Sequence, residues 1–203
     1  MSENLNLKTK IVLIGNSGVG KTSIVQSYKN GSIPQNHLPT IGADQMQIQM
    51  EVLNRTVNVH VWDTAGHEKY RTIGSLYYRD ADGCFCVFDY SDVDSFKELP
   101  KWIEDFENVV GQNKVVAIVG NKSDLPKKVN DNEALAFADS RGFKFYQTSA
   151  ITNFGIADLF EGVVYEIMSN KISQNSEKNE VFHVKEPEEK PDEPDNEKPK
   201  SCC

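Results

Sequence analysis

The chain has 203 residues and a formal charge of −8 with a pI near 5.1, so it lacks the basic surplus that grips nucleic acid or anionic lipid headgroups. Hydrophobic residues make up 38% and charged residues 26%, which suits one domain of roughly 150 residues plus a polar appendage. No apolar run approaches the roughly 18 residues of a membrane-spanning helix, and Met1–Lys8 lacks the apolar stretch of a secretion signal; the expectation is a soluble intracellular protein with reduced thiols.

Residues 1–7 read as a flexible lead-in. A strand is expected at Thr9–Ile14 and a helix at Lys21–Lys29. Gln47–Leu53 and Thr56–Trp62 flank Asn54-Arg55, which predicts a hairpin and hence one antiparallel strand. Further strands are expected at Gly83–Phe88, Val115–Val119 and Phe143–Tyr146. Helical patterns cover Phe96–Val110, Asn132–Ser140 and Ile156–Met168, and Pro100 should kink or restart the first of these. Ile11–Ile14 and Val115–Val119 are apolar on both faces, as strands of a parallel sheet covered from both sides should be. Residues 8–174 are therefore expected to form an α/β domain: a six-stranded, mostly parallel sheet with helices on both faces and its ligand at the carboxyl ends of the strands.

From Asn175 onward the composition changes. This tail carries nine acids against five lysines, half of the net charge, and four of the eight prolines. Residues 175–203 cannot bury enough apolar surface to offset chain entropy, so they read as a disordered tail ending in Cys202-Cys203.

Directly after the first strand stands Gly15-Asn16-Ser17-Gly18-Val19-Gly20-Lys21-Thr22, the pattern GxxxxGK[ST] between a strand and a helix. Its glycines let backbone N–H groups turn inward around phosphate oxygens at a helix N-terminus. Lys21 offers a point charge to terminal phosphates, and the Thr22 hydroxyl a ligand to Mg²⁺. So far this implies only a nucleoside triphosphate. Asp63, within Val61–Gly66 at the end of an apolar run, would by itself serve as a helix cap; paired with the phosphate loop, its carboxylate suits Mg²⁺, usually through a water. Gly120-Asn121-Lys122-Ser123-Asp124 follows Val115–Val119, and Thr148-Ser149-Ala150 follows Phe143–Gln147. A carboxylate such as Asp124 can accept from the N1–H and 2-amino donors of guanine, which adenine does not offer. Alone, Asn-Lys-x-Asp is also an ordinary polar turn; third in order after two other sheet-end motifs, it argues for guanine and against an ATP-using enzyme. Cys84 and Cys86, two apart on one strand, suit packing rather than a metal. His37, His60 and His183 have no chemical context.

With these residues in place the chain resembles the small GTPases of the Ras superfamily, and more narrowly those of Rab type. The resemblance rests on Trp62–Gly66, Glu68-Lys69-Tyr70-Arg71-Thr72-Ile73, Tyr77-Tyr78-Arg79, Thr40-Ile41-Gly42 and the terminal Cys202-Cys203, and it spans roughly residues 7–170. It implies a single P-loop GTPase domain that takes GTP or GDP with Mg²⁺. The loop residues Gly15, Ser17, Gly18, Val19, Gly20 and Lys21 would hold phosphates, with Thr22, Ser23, Thr40 and Gly66 completing that side. Thr22, Thr40 and Asp63 would hold the metal. Asn121, Lys122 and Asp124 would surround guanine, and Ser149, Ala150 and Ile151 would meet its carbonyl edge. Residues near 33–45 and 64–79 would be two switches, ordered by the γ-phosphate and loosened after hydrolysis. Lys21, Thr40 and His67 are the implied catalytic residues. An arginine finger would come from a partner and be worth on the order of 10³–10⁵ in rate. Ile41, Gly42, Gln45, Trp62 and Tyr77 would form the effector surface.

The resemblance further implies a monomer served by a GTPase-activating protein, an exchange factor, a dissociation inhibitor or escort protein, and effectors. Cys202 and Cys203 would each carry a geranylgeranyl group, placing the chain on the cytoplasmic face of an endomembrane in exchange with cytosol. Two lipid chains anchor stably where one does not, and the acidic tail gains nothing from an anionic leaflet. Four positions depart from the family pattern. His67 replaces the glutamine that orients water, Ile33 an aromatic on the guanine, Gln45 a phenylalanine of the effector surface, and Ile151 a lysine. The implied function is a GTP-hydrolysing switch in vesicle trafficking, slow without its activating partner; the alternative is a GTP-binding interaction module with negligible hydrolysis because of His67.

Overall fold

The computed structural model describes residues 7–33, 40–66 and 76–181. The chain divides into two compact units, Met1–Asn170 and Lys171–Cys203, and the sheet lies in the first. Its elements run β1 (Leu7–Ile14), α1 (Lys21–Asn30), β2 (Ala43–Val52), β3 (Arg55–Thr64), β4 (Gly83–Asp89), α2 (Val93–Lys97), α3 (Leu99–Val110), β5 (Val115–Asn121), α4 (Asp131–Asp139), β6 (Lys144–Gln147) and α5 (Ile156–Val181). Six strands lie in the order β2-β3-β1-β4-β5-β6, and β2 is antiparallel to β3 while every other pairing is parallel.

The two-residue period of a strand sorts the sheet's side chains into two cores. Ile11 and Leu13 of β1 join Val57, Val59 and Val61 of β3 against Ile24 of α1 and Leu159, Phe160 and Val163 of α5. Val12 and Ile14 face the other way, with Cys84, Cys86 and Phe88 of β4, against Phe96, Trp102, Ile103 and Phe106 of α2 and α3 and Ala134 and Ala138 of α4. Each large side chain so buried contributes roughly 1.5–3 kcal/mol, which is why runs apolar on both faces occupy the centre of the sheet.

Four boundaries differ from the expectation. The hairpin turns at Leu53-Asn54, not Asn54-Arg55: both residues have positive φ, +52° and +57°, and Val52 pairs with Arg55. Two left-handed residues give the turn whose twist matches the strands, and this register lets the Thr56 hydroxyl donate to the Glu51 carboxylate across the ladder. The helical pattern restarts near Pro100, as expected, but the break falls two residues upstream, at Glu98. Pro100 falls in the first turn of α3, where its missing N–H forfeits no helical bond. β1 begins at Leu7, assigned to the lead-in, because Leu7 already pairs with Val57. α5 continues to Val181, past the end of its apolar pattern at Met168 and past Asn175, where the tail was expected to start; residues 182–203 lie outside the described residues. Among the described residues no helix is long and apolar enough to cross a membrane.

After β1 the chain builds outward through β3 on one side and β4 on the other. The crevice at the carboxyl end of β1 is therefore the switch point at which open α/β sheets bind ligands.

Candidate nucleotide and metal site

Gly15 leaves β1 with φ +133°, and a Cβ there would stand 2.2 Å from the Val87 carbonyl oxygen of β4. Gly20 has φ +94°, and its Cβ would stand 2.3 Å from the Asn121 amide nitrogen. Both positions admit only glycine because the loop is pressed against β4 and the end of β5. Ser17 and Gly18 form the exposed lip, and Val19 turns inward. Gly20 caps α1 without a side-chain acceptor, and the first turn holds no acid; the helix N-terminus is thus left to an external anion.

Lys21 is 6% exposed. Its Nζ donates to the Gly15 and Asn16 carbonyls, each at 2.8 Å. Burial lowers its pKa to about 8, against the opposing pull of Asp63. Gly66 closes over it: a Cβ at this residue would lie 2.3 Å from Nζ. On the other flank the Trp102 indole of α3 donates to Asn16 Oδ1 at 2.6 Å.

The implied metal ligands meet. Asp63 Oδ2 accepts from Thr22 Oγ1 at 2.5 Å and from Thr40 Oγ1 at 3.2 Å, and the two hydroxyls are 2.9 Å apart. Asp63 Oδ1 is buried without a hydrogen-bond partner. Burial pushes the Asp63 carboxyl up, opposed by its bonds from the threonines and by Lys21. A buried acceptor left without a donor is costly. A hard divalent cation satisfies it, and a carboxylate with two hydroxyls fits Mg²⁺, which keeps waters and takes substrate phosphates for the rest of its shell.

A cavity of about 310 Å³ opens beside the loop, lined by Gly20, Ser23, Ile33, Asn121, Lys122, Asp124, Ala150 and Ile151. That is near the lower bound of small-molecule sites, roughly 300–1,000 Å³. Asn121 is 1% exposed and works mainly inside the protein. Its Nδ2 donates to the Val19 carbonyl at 2.9 Å, and its Oδ1 accepts from Thr148 Oγ1 at 3.2 Å and the Ala150 amide at 3.3 Å. Ser149 likewise turns inward, donating to Asp124 Oδ1 at 2.5 Å while accepting from the Thr152 amide at 3.2 Å. Lys122 reaches Asp89 Oδ2 at 2.7 Å. Asp89 escaped the sequence reading; its only signal is its place at the end of β4, level with Asn121.

The family model of the Ras family matches residues 10–169. The chain belongs to that family, as a Rab-type small GTPase. It is 37% identical over 164 residues to the Ras-related protein Rab-21 of Geodia cydonium, covering 80% of this chain and 72% of the relative. It is 39% identical over 153 residues to the Ras-related protein Rab-21 of Homo sapiens, covering 74% and 68%. To the Ras-related protein Rab-5B of Plasmodium falciparum it is 39% identical over 163 residues, covering 80% and 79%. Ras-superfamily GTPases generally use Mg²⁺ with GTP.

In this Rab-type chain the residues of the implied effector surface also come together. Gln45 lies opposite Trp62 across β2 and β3, the Trp62 and Tyr77 rings are 5.8 Å apart, and a Cβ on Gly42 would stand 3.5 Å from the Tyr77 hydroxyl. Ile41 is 81% exposed. His60, which the sequence left without context, sits 2.8 Å from the Gln45 amide nitrogen through Nδ1, so two polar groups pair where an aromatic ring is usual. Ile33 and Ile151 both line the cavity beside the phosphate loop. His67, the segment Glu68–Ile73, Cys202 and Cys203 lie outside the described residues.

Because Asn121 joins the phosphate loop to the loop after β6, Asn121→Asp should loosen both by setting a carboxylate against the Val19 carbonyl. The expected loss is about 1–3 kcal/mol of stability, with release of a fluorescent GDP analogue at least about tenfold faster, a ratio worth roughly 1.4 kcal/mol. Thermal unfolding and stopped-flow release measure the two, and release at the wild-type rate would show that the loops are held by other contacts.

Proposed function

We propose that this chain is a GTP-driven switch that recruits effector proteins to an intracellular membrane in vesicle trafficking while GTP is bound. It hydrolyses GTP to GDP slowly alone and faster with an activating partner. The observation that carries this reading is the alignment of three functions along one sheet edge: the phosphate loop with Lys21, the oxygen set of Thr22, Thr40 and Asp63, and the base cavity bounded by Asp124. When bound, Mg²⁺ would be held by Thr22, Thr40 and Asp63 and would supply positive charge against the negative charge of the phosphates. Thr40 and Gly66 belong to the two segments that would sense that phosphate, and their neighbourhoods are already joined, since the Ala65 amide donates to the Gly42 carbonyl at 2.8 Å. An exchange factor, an activating protein, an escort and effectors are the partners such a cycle needs.

Guanine selection tests the base site. Asp124→Asn replaces an acceptor for the guanine N1–H and 2-amino group with an amide that suits xanthine. The preference for GTP over XTP should then invert, because a site built to pair a ligand's donors discriminates by several powers of ten, up to roughly 10⁴–10⁵. Competition binding of the two triphosphates decides it, and a variant that still prefers GTP refutes the role of Asp124.

A second reading, a GTP-binding module with negligible hydrolysis, draws on His67 standing where a water-orienting glutamine is usual. Glutamine donates and accepts at any pH, whereas imidazole loses its acceptor as it protonates near pH 6.5. The expected outcome is slow single-turnover hydrolysis that speeds up in His67→Gln, at saturating Mg²⁺ between pH 6 and 8. If the glutamine variant is no faster anywhere in that range, His67 is an adequate replacement.

Membrane attachment rests on Cys202-Cys203, each taken to carry a geranylgeranyl group. With an acidic segment before them, anchoring comes from lipid rather than from charge. Changing both to serine should move the protein from membrane to soluble fractions, and changing one should leave weak, reversible binding. An unaltered membrane fraction for the double variant would exclude this anchor.

A further inference from the structure

Asp89 is the last residue of β4 and is 6% exposed. All of its polar atoms are engaged. Oδ1 accepts from the backbone amide and the hydroxyl of Ser91, both at 2.7 Å, and Oδ2 lies 2.7 Å from Lys122 Nζ. Its own amide donates to Ser95 Oγ at 3.0 Å, and Ser95 is fully buried. The carboxylate is therefore fixed in direction. Burial pushes its pKa up, but the bonds from Lys122 and Ser91 outweigh this and hold it below the usual carboxylate range. It stays charged wherever the protein is folded at moderate pH.

At the other end of the bridge, Lys122 has φ +60°, a left-handed conformation that a long side chain does not favour. It lines the base cavity beside Asn121 and Asp124. The backbone sets the two partners level: Asp89 and Asn121 are register neighbours on β4 and β5, and the Tyr90 amide donates to the Asn121 carbonyl at 3.0 Å.

We propose that Asp89 is a positioning residue for the bound guanine nucleotide: by anchoring the Lys122 ammonium, it holds the Lys122 stem as a fixed wall of the base cavity. The pair is charge-assisted and its carboxylate is nearly dry, so the bond is stronger than a surface ion pair. Asp89 itself does not touch the base; it slows nucleotide escape through Lys122. The proposal rests on the reading of the cavity as a guanine site.

A double-mutant cycle on release of a fluorescent GDP analogue tests it. Asp89→Asn keeps the shape and an acceptor for Ser91 but removes the charge, and should speed release about tenfold, as expected for losing one charge-assisted bond. Asp89→Glu should restore part of the wild-type rate. Ser91→Ala removes the hydroxyl bond to Oδ1 while leaving the backbone amide bond and the charge, and should give a smaller acceleration. Lys122→Ala alone should also speed release, and adding Asp89→Asn to it should change the rate by less than about twofold. Far-UV circular dichroism of the GDP-loaded variants at the assay temperature keeps loss of fold apart from loss of grip. Acceleration of equal size in the Lys122→Ala background would make Asp89 merely structural, and no acceleration in the wild-type background would remove it altogether. If Lys122→Ala leaves both release and guanine preference untouched, the cavity is not the base site and the proposal falls with it.

Discussion

The Asn121 carboxamide reaches two loops at once. One end holds the Val19 carbonyl of the phosphate loop and the other the Ala150 amide of the loop after β6, with the Thr148 hydroxyl alongside. A buried amide cannot be left unpaired without losing its hydration for nothing, so the phosphate loop is held to the loop after β6, which bonds from the Ser123 and Thr148 amides already join to the end of β5. The rest of the site inherits that convergence. Gly20 must lack a side chain because Asn121 occupies the space, and the cavity lined by Gly20, Asn121 and Ala150 lies between the loops so gathered.

Around this tie the electrostatics are arranged for ligands that arrive later. A buried ammonium and a buried carboxylate stand at the end of β1 and β3, each shifted toward its neutral form by loss of water. Their mutual attraction and the threonine hydroxyls offset only part of that cost. Phosphate on one and a divalent cation on the other would supply the missing partners. Those polar groups would be strong contacts for a metal–triphosphate, and its binding would add to the stability of the domain.

Most of the fold was legible because it is written in short-range periodicity. Ile11–Ile14 and Val115–Val119 announced strands covered on both faces, and the phosphate loop announced itself by a strand before and a helix after. The sites that sequence motifs encode came out together for the same reason: each sits at a strand's carboxyl end, and parallel strands bring those ends to one edge. What was not legible depends on pairing across strands. Asp89 is one acid among many until register sets it beside Lys122. His60 gains a role only when β2 folds back and puts Gln45 within reach. The hairpin turn sits one residue earlier because Leu53 as well as Asn54 takes a left-handed backbone, a conformation that the propensity of leucine does not reveal. The end of α5 was misjudged because its apolar pattern stops at Met168 while the helical backbone continues to Val181.

The indole of Trp102 is bonded to the second residue of the phosphate loop, and the chain's other tryptophan, Trp62, lies next to Asp63 and against Tyr77. The sequence holds no third. All indole emission from this protein consequently originates beside Asn16 or beside Asp63, one source braced against the loop and one packed on Tyr77. Excited selectively over the chain's seven tyrosines, these two indoles report on that edge with no label attached.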